Sequence, residues 1–153
     1  MRETMTVSRE VSWDMGHRVP NHKSKCRNVH GHRYLMWVTL EGEVIGQSGV
    51  SDEGMVIDFS DIKTIVEGYI DEKLDHGYMG NKALDREMLE LLSRNGMKHV
   101  GVDFIPTAEN IAKYLFEELS PLFVDAYGTK LRLSEIRLYE TPKSYVIYAP
   151  EAS

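Results

Sequence analysis

With one cysteine in 153 residues, the chain cannot close a disulfide within itself. That scarcity suits a reducing compartment and predicts a cytoplasmic protein. No apolar run approaches the roughly 20 residues of a membrane span, and Met1-Arg2-Glu3-Thr4-Met5-Thr6 lacks the apolar core of a secretory signal. No membrane partner is expected. A basic excess is missing too: 18 Lys and Arg against 24 Asp and Glu give a net charge of -6, which argues against a nucleic-acid surface. Internal repeats, low-complexity stretches and linkers are also absent. What remains is an ordinary globular balance, 42% apolar and 27% charged, in a chain long enough to bury one core. A single domain over residues 1–153 is expected.

Residues 5–13 are rich in β-branched side chains and alternate, which predicts a strand. Residues 16–28, dense in charge, Pro, Asn and His, read as a loop. A second strand is expected over 30–44, with Tyr34, Met36, Val38 and Leu40 on one face and Leu35, Trp37, Thr39 and Glu41 on the other. A turn-rich stretch leads into a helix predicted to start at Ser60 as its N-cap. Ile62, Ile65, Val66, Tyr69 and Ile70 form its apolar stripe. Residues 83–94 predict a short helix ended by Asn95-Gly96. Another helix should follow Pro106, with Thr107 as N-cap and Ile111, Leu115, Phe116 and Leu119 turned inward. Strands over 131–139 and 144–148 are joined by Glu140-Thr141-Pro142-Lys143. Short joints between successive strands imply antiparallel hairpins, with helices covering one face of an α+β domain.

The chemistry is concentrated near the N-terminus. His30 and His32, two apart on a strand, point to the same side, and His17 can add a third nitrogen. Three neutral imidazoles on Zn2+ leave a fourth position open, the arrangement of a catalytic zinc. Cys26 admits three readings: a fourth ligand closing a structural site, a thiol made acidic beside an open metal, or an inert buried thiol. His22 is a competing ligand in a solvated loop, and His99 has no assigned role. Asp75-His76 can move protons, or His76 can simply favour the C-terminal end of a helix. Glu140 can accept paired N–H donors from a flat heterocycle, or be a solvated turn residue.

Several motifs occur in order: Trp13-x-x-x-His17, Cys26-x-x-x-His30-Gly31-His32, Gly54-Met55-Val56-Ile57-Asp58-Phe59, Leu74-Asp75-His76, Pro106-Thr107-Ala108-Glu109-Asn110 and Tyr139-Glu140-Thr141. This succession resembles the family of 6-pyruvoyl-tetrahydropterin synthase and its queuosine-pathway relative, 6-carboxy-tetrahydropterin synthase. The resemblance spans nearly the whole chain. It implies the tunnelling fold (T-fold), a four-stranded antiparallel sheet with two long helices on one face in ββααββ order, here with an inserted short helix. It also implies a homo-oligomer, trimer or hexamer, with active sites between subunits.

Carried over residue by residue, the resemblance makes His17, His30 and His32 the Zn2+ ligands and Cys26 the proton-abstracting thiol. Asp75 and His76 become a charge-relay pair, Glu140 the anchor of the pterin ring, and Thr107 a residue near the pterin. Lys23, Lys25 and Arg27 could meet a triphosphate. Two departures stand out: Met15-Gly16 replaces two small residues before His17, and residues 83–105 are longer than in compact relatives. The three-residue gap between Cys26 and His30 resembles the carboxy-forming branch. The implied reaction converts the pterin triphosphate 7,8-dihydroneopterin triphosphate to 6-carboxy-5,6,7,8-tetrahydropterin, acetaldehyde and triphosphate. The alternatives are the pyruvoyl-forming reaction and, in another class, a non-catalytic zinc-stabilised binding module.

Overall fold

A computed structural model describes residues 3–152; Met1, Arg2 and Ser153, included in the expected domain limits, lie outside the described residues. Two long strands, β1 (Thr4–His17) and β2 (His30–Glu43), pair antiparallel along their whole length. The first strand thus runs on to His17, where the charge and polarity of residues 16–28 had suggested a loop. Main-chain pairing of His17 with His30 accounts for the difference, because a ladder partner overrides local composition.

Helix α1 (Phe59–Lys73) starts at Asp58, not at the expected Ser60. The Asp58 carboxylate accepts hydrogen bonds from the Ser60 amide at 2.8 Å and its hydroxyl at 2.7 Å, so Ser60 already lies in the first turn. Ile62, Val66 and Ile70 are buried on its inner face, with Ile65 and Tyr69 packed at the flanks. Helix α3 (Ala108–Tyr127) has Thr107 as its N-cap, as expected, and buries Ile111, Ala112, Leu115, Leu119 and Phe123. Phe116 stands at the flank instead, its ring 5.3 Å from that of Tyr148. Both helices pack on the sheet face that carries Trp13, Tyr34, Met36, Val38 and Leu40.

The sheet departs from the four antiparallel strands expected. It has six strands in the order β4-β3-β1-β2-β5-β6, where β3 is Gly77–Asn81, β4 His99–Val102, β5 Leu131–Thr141 and β6 Ser144–Tyr148. The β1–β2, β2–β5 and β5–β6 pairs are antiparallel, whereas β3 pairs with β1, and β4 with β3, in parallel. A parallel pair needs a crossover, and helix α2 (Arg86–Arg94) supplies it between β3 and β4. The inserted segment is therefore a βαβ unit that widens the sheet. Tyr78 and Gly80 alternate with core-facing Met79, so they point to the opposite face. A Cβ at Gly80 would come within 3.2 Å of both Asp85 and Leu89, which shows α2 lying against that second face. Glycine is what lets the helix approach so closely. Among the described residues no helix is long and apolar enough to cross a membrane.

Candidate active site

The β1–β2 register sets His17 opposite His30 and Met15 opposite His32. Alternation then sends all three imidazoles to the helix-covered face, beyond Trp13 and Tyr34. Their ring centroids are 4.6 Å (His17–His30), 5.1 Å (His17–His32) and 4.9 Å (His30–His32) apart. One nitrogen from each lies within 4.8 Å of the others, close enough to share one metal ion.

Outer contacts fix which nitrogens face the centre. His17 Nδ1 donates to the Pro106 carbonyl at 2.8 Å, and His30 Nδ1 to the Asn28 carbonyl at 2.7 Å. A carbonyl only accepts, so each Nδ1 carries the proton and each Nε2 keeps its lone pair. Nε2 of His17 and Nε2 of His32 are buried without any hydrogen-bond partner. Burial lowers the His17 pKa to about 4; the Pro106 carbonyl opposes the shift, and His30 and His32 add to it. Burial also lowers His32, against the pull of Glu140 and with the help of His30. Neutral imidazoles with unpaired lone pairs facing one point fit a divalent metal ion.

Glu140 belongs to β5 and not, as expected, to the turn after it. Its carboxylate oxygens lie 3.6 Å from His32 Nε2 and 3.9 Å from His17 Nε2. The β2–β5 pairing runs to Leu35 and Tyr139, and Glu140 follows at a register shift between Tyr139 and Thr141. The sheet thus brings Glu140 and the three histidines together from separate strands.

The other expected residues stand elsewhere. Cys26 is a half-buried free thiol in a short 3-10 turn, Lys25–Arg27, and its sulfur is not in the histidine group. That geometry disfavours a closed four-ligand set. Asp75 and His76 follow the end of α1 and form a second group with Asp14. His76 Nδ1 lies 3.0 Å from Asp75 Oδ2, and the backbone amides of Asp14 and His76 bond Asp75 Oδ1 and the Asp14 carbonyl at 3.2 and 2.7 Å. Burial pushes the Asp75 carboxyl up, but the Asp14 amide and the charges of His76 and Lys98 outweigh it, leaving the pKa lowered. His76 has a left-handed backbone, φ 61°, and its side chain is 75% exposed. It helps line a cavity of about 440 Å³ with Asp14, Gly31, His32 and Arg33.

Thr107 spends its hydroxyl accepting from the Asn110 amide at 3.3 Å, and the preceding Pro106 carbonyl orients His17. Lys23, Lys25 and Arg27 are exposed around the thiol turn, as is Glu109 on α3. Sequence reading missed Asp14, Pro106 and Tyr34 as neighbours of these groups. Only Tyr34 left a signal there, two residues after His32 on the same face.

A family model described as 6-pyruvoyl tetrahydropterin synthase matches residues 6–151. The chain is 39% identical over 144 residues to a protein of Haemophilus influenzae named 6-carboxy-5,6,7,8-tetrahydropterin synthase, covering 93% of this chain and 96% of that one. A Rickettsia felis protein of the same name is 38% identical over 141 residues, covering 91% and 96% of the two chains. Among solved structures, Caenorhabditis elegans 6-pyruvoyl tetrahydropterin synthase superposes with a TM-score of 0.67 at 27% identity, covering 99% of both chains. The motif succession, the fold and these matches agree: the chain belongs to the 6-pyruvoyl tetrahydropterin synthase family, a family of pterin-processing enzymes.

Proposed function

We propose that this protein is a zinc-dependent 6-carboxy-5,6,7,8-tetrahydropterin synthase. Its reaction converts 7,8-dihydroneopterin triphosphate and water to 6-carboxy-5,6,7,8-tetrahydropterin, acetaldehyde and triphosphate. The identity to relatives of that name supports the activity. The observation that carries the metal is the pair of buried, unpartnered Nε2 atoms on His17 and His32, gathered with His30.

His17, His30 and His32 would hold Zn2+ through Nε2. Bound there, the ion would supply Lewis acidity toward the hydroxyls of the substrate side chain. Glu140 holds the guanidine-like edge of the pterin through a charge-assisted pair of hydrogen bonds. Cys26 takes a proton from the carbon next to the ring, and His76, oriented by Asp75, relays protons on the other side. Within one chain neither Cys26 nor the Asp75–His76 pair belongs to the histidine group. The proposal therefore includes a homo-oligomer in which neighbouring subunits complete each site, measurable as a trimer or hexamer by light scattering.

Product analysis with purified protein and dihydroneopterin triphosphate tests the reaction. Stoichiometric acetaldehyde is expected. A pyruvoyl product without acetaldehyde would move the assignment to the pyruvoyl-forming reaction, and no turnover would leave the zinc-stabilised binding module.

A further inference from the structure

Six buried side-chain atoms lack a hydrogen-bond partner among the described residues: Trp13 Nε1, His17 Nε2, His32 Nε2, Tyr34 Oη, Tyr78 Oη and Arg137 Nε. Two of them, on His17 and His32, are accounted for by the metal site. Tyr34 is the informative remainder. It is fully buried, and the next residues on its face, Met36, Val38 and Leu40, are purely apolar. Phenylalanine would fill that position without leaving a buried hydroxyl unpaired, which is unfavourable. The Tyr34 ring packs edge-on to His17 and His32, with centroids 6.0 and 5.6 Å away, and stacks on Trp13 at 5.4 Å. The Glu140 carboxylate lies against the same two histidines, 3.9 Å from His17 Nε2 and 3.6 Å from His32 Nε2. A phenol carries its proton at neutral pH, so this hydroxyl is available as a donor.

We infer that Tyr34 is a positioning residue for Glu140, its hydroxyl donating a hydrogen bond to the Glu140 carboxylate when that carboxylate engages a pterin. One carboxylate oxygen is steadied while both remain able to accept from the ligand. The inference rests on the anchoring role proposed for Glu140 and adds the residue that orients it. The role acts on ligand binding, not on metal binding or on folding.

The experiment is a double-mutant cycle read by neopterin fluorescence on metal-loaded protein, with Tyr34→Phe, Glu140→Ala and the double variant. Thermal unfolding of the metal-free proteins runs in parallel. Tyr34→Phe should weaken neopterin binding about tenfold, as befits a lost bond to a charged group. In the Glu140→Ala background the same change should have less than about a threefold effect. Metal content should be unchanged, and the metal-free Tyr34→Phe protein as stable as wild type or more so. Wild-type affinity in Tyr34→Phe beside weakened Glu140→Ala overturns this inference alone. Equal losses in both backgrounds, or a loss that tracks lowered stability, also overturn it. Wild-type affinity in Glu140→Ala removes the anchoring role itself, and the inference with it.

Discussion

The histidine group and the Asp75–His76 corner both lean on the end of β1, yet they are held in opposite ways. His17 is 1% exposed, fixed by a ladder partner on one side and the Pro106 carbonyl on the other. His76 reaches into an open cavity, tied to β1 mainly through main-chain contacts with Asp14. One region is assembled by folding alone, with His17 buried, His30 and His32 partly so, and the Nε2 lone pairs of His17 and His32 unspent. The other keeps its acid-base groups in water. A proton relay works best when shielded from bulk solvent, so under the proposed function the corner gains its shielding when substrate or a second subunit covers it.

The contrast breaks most sharply at the metal. His30→Ala should reduce bound zinc from about one per chain to near none and abolish turnover, as measured by metal analysis after dialysis. Full occupancy in that variant would show that the trio is not the metal site. Cys26→Ala should keep its zinc while turnover falls roughly 100- to 10,000-fold. Loss of the metal together with the thiol would make Cys26 a ligand and bind the two regions into one. Asp75→Asn should lower kcat about 10- to 100-fold at unchanged metal content, because the amide can still accept from the Asp14 amide but no longer carries the charge. A metal-deficient Asp75→Asn protein would mean that the corner supports the trio structurally.

The smallest effect sharpens the contrast through pH. In the metal-free protein His17 titrates near 4 when folded and near 6.5 when unfolded, because burial disfavours its charged form. Between those values the unfolded chain binds more protons, so stability is full above pH 6.5 and falls as pH drops toward 4. The loss should amount to up to about 3 kcal/mol. Thermal unfolding in chelator from pH 8 to pH 4 reads it, and Asp75→Asn should follow the same curve. A flat wild-type curve would show that His17 is not desolvated.

Much of the fold was legible because long amphipathic segments announce their period. The alternation of Tyr34, Met36, Val38 and Leu40 and the stripe of Ile62, Val66 and Ile70 found the faces they bury. The parallel edge was not legible. Gly77–Asn81 and His99–Val102 have five and four residues, with two glycines in the first and one in the second, too short and too bare for alternation to register. The pairing of His30 with His32 followed from spacing, and their approach to His17 from two segments being neighbours. The proximity of Glu140 did not follow, since it depends on β5 running on to Thr141 and on the register shift between Tyr139 and Thr141. Likewise no local signal told that the thiol and the aspartate–histidine corner would fall outside the trio's ligand group. Tertiary placement alone decides that.

The left-handed backbone at His76 makes one position an unusually clean lever on the chemistry. Asparagine adopts that conformation readily, whereas valine or isoleucine resists it. Replacing the imidazole with asparagine would therefore remove the proposed proton relay while the chain keeps its path, and a β-branched substitute would distort the path itself. Comparing the two separates what the ring does from what the bend does.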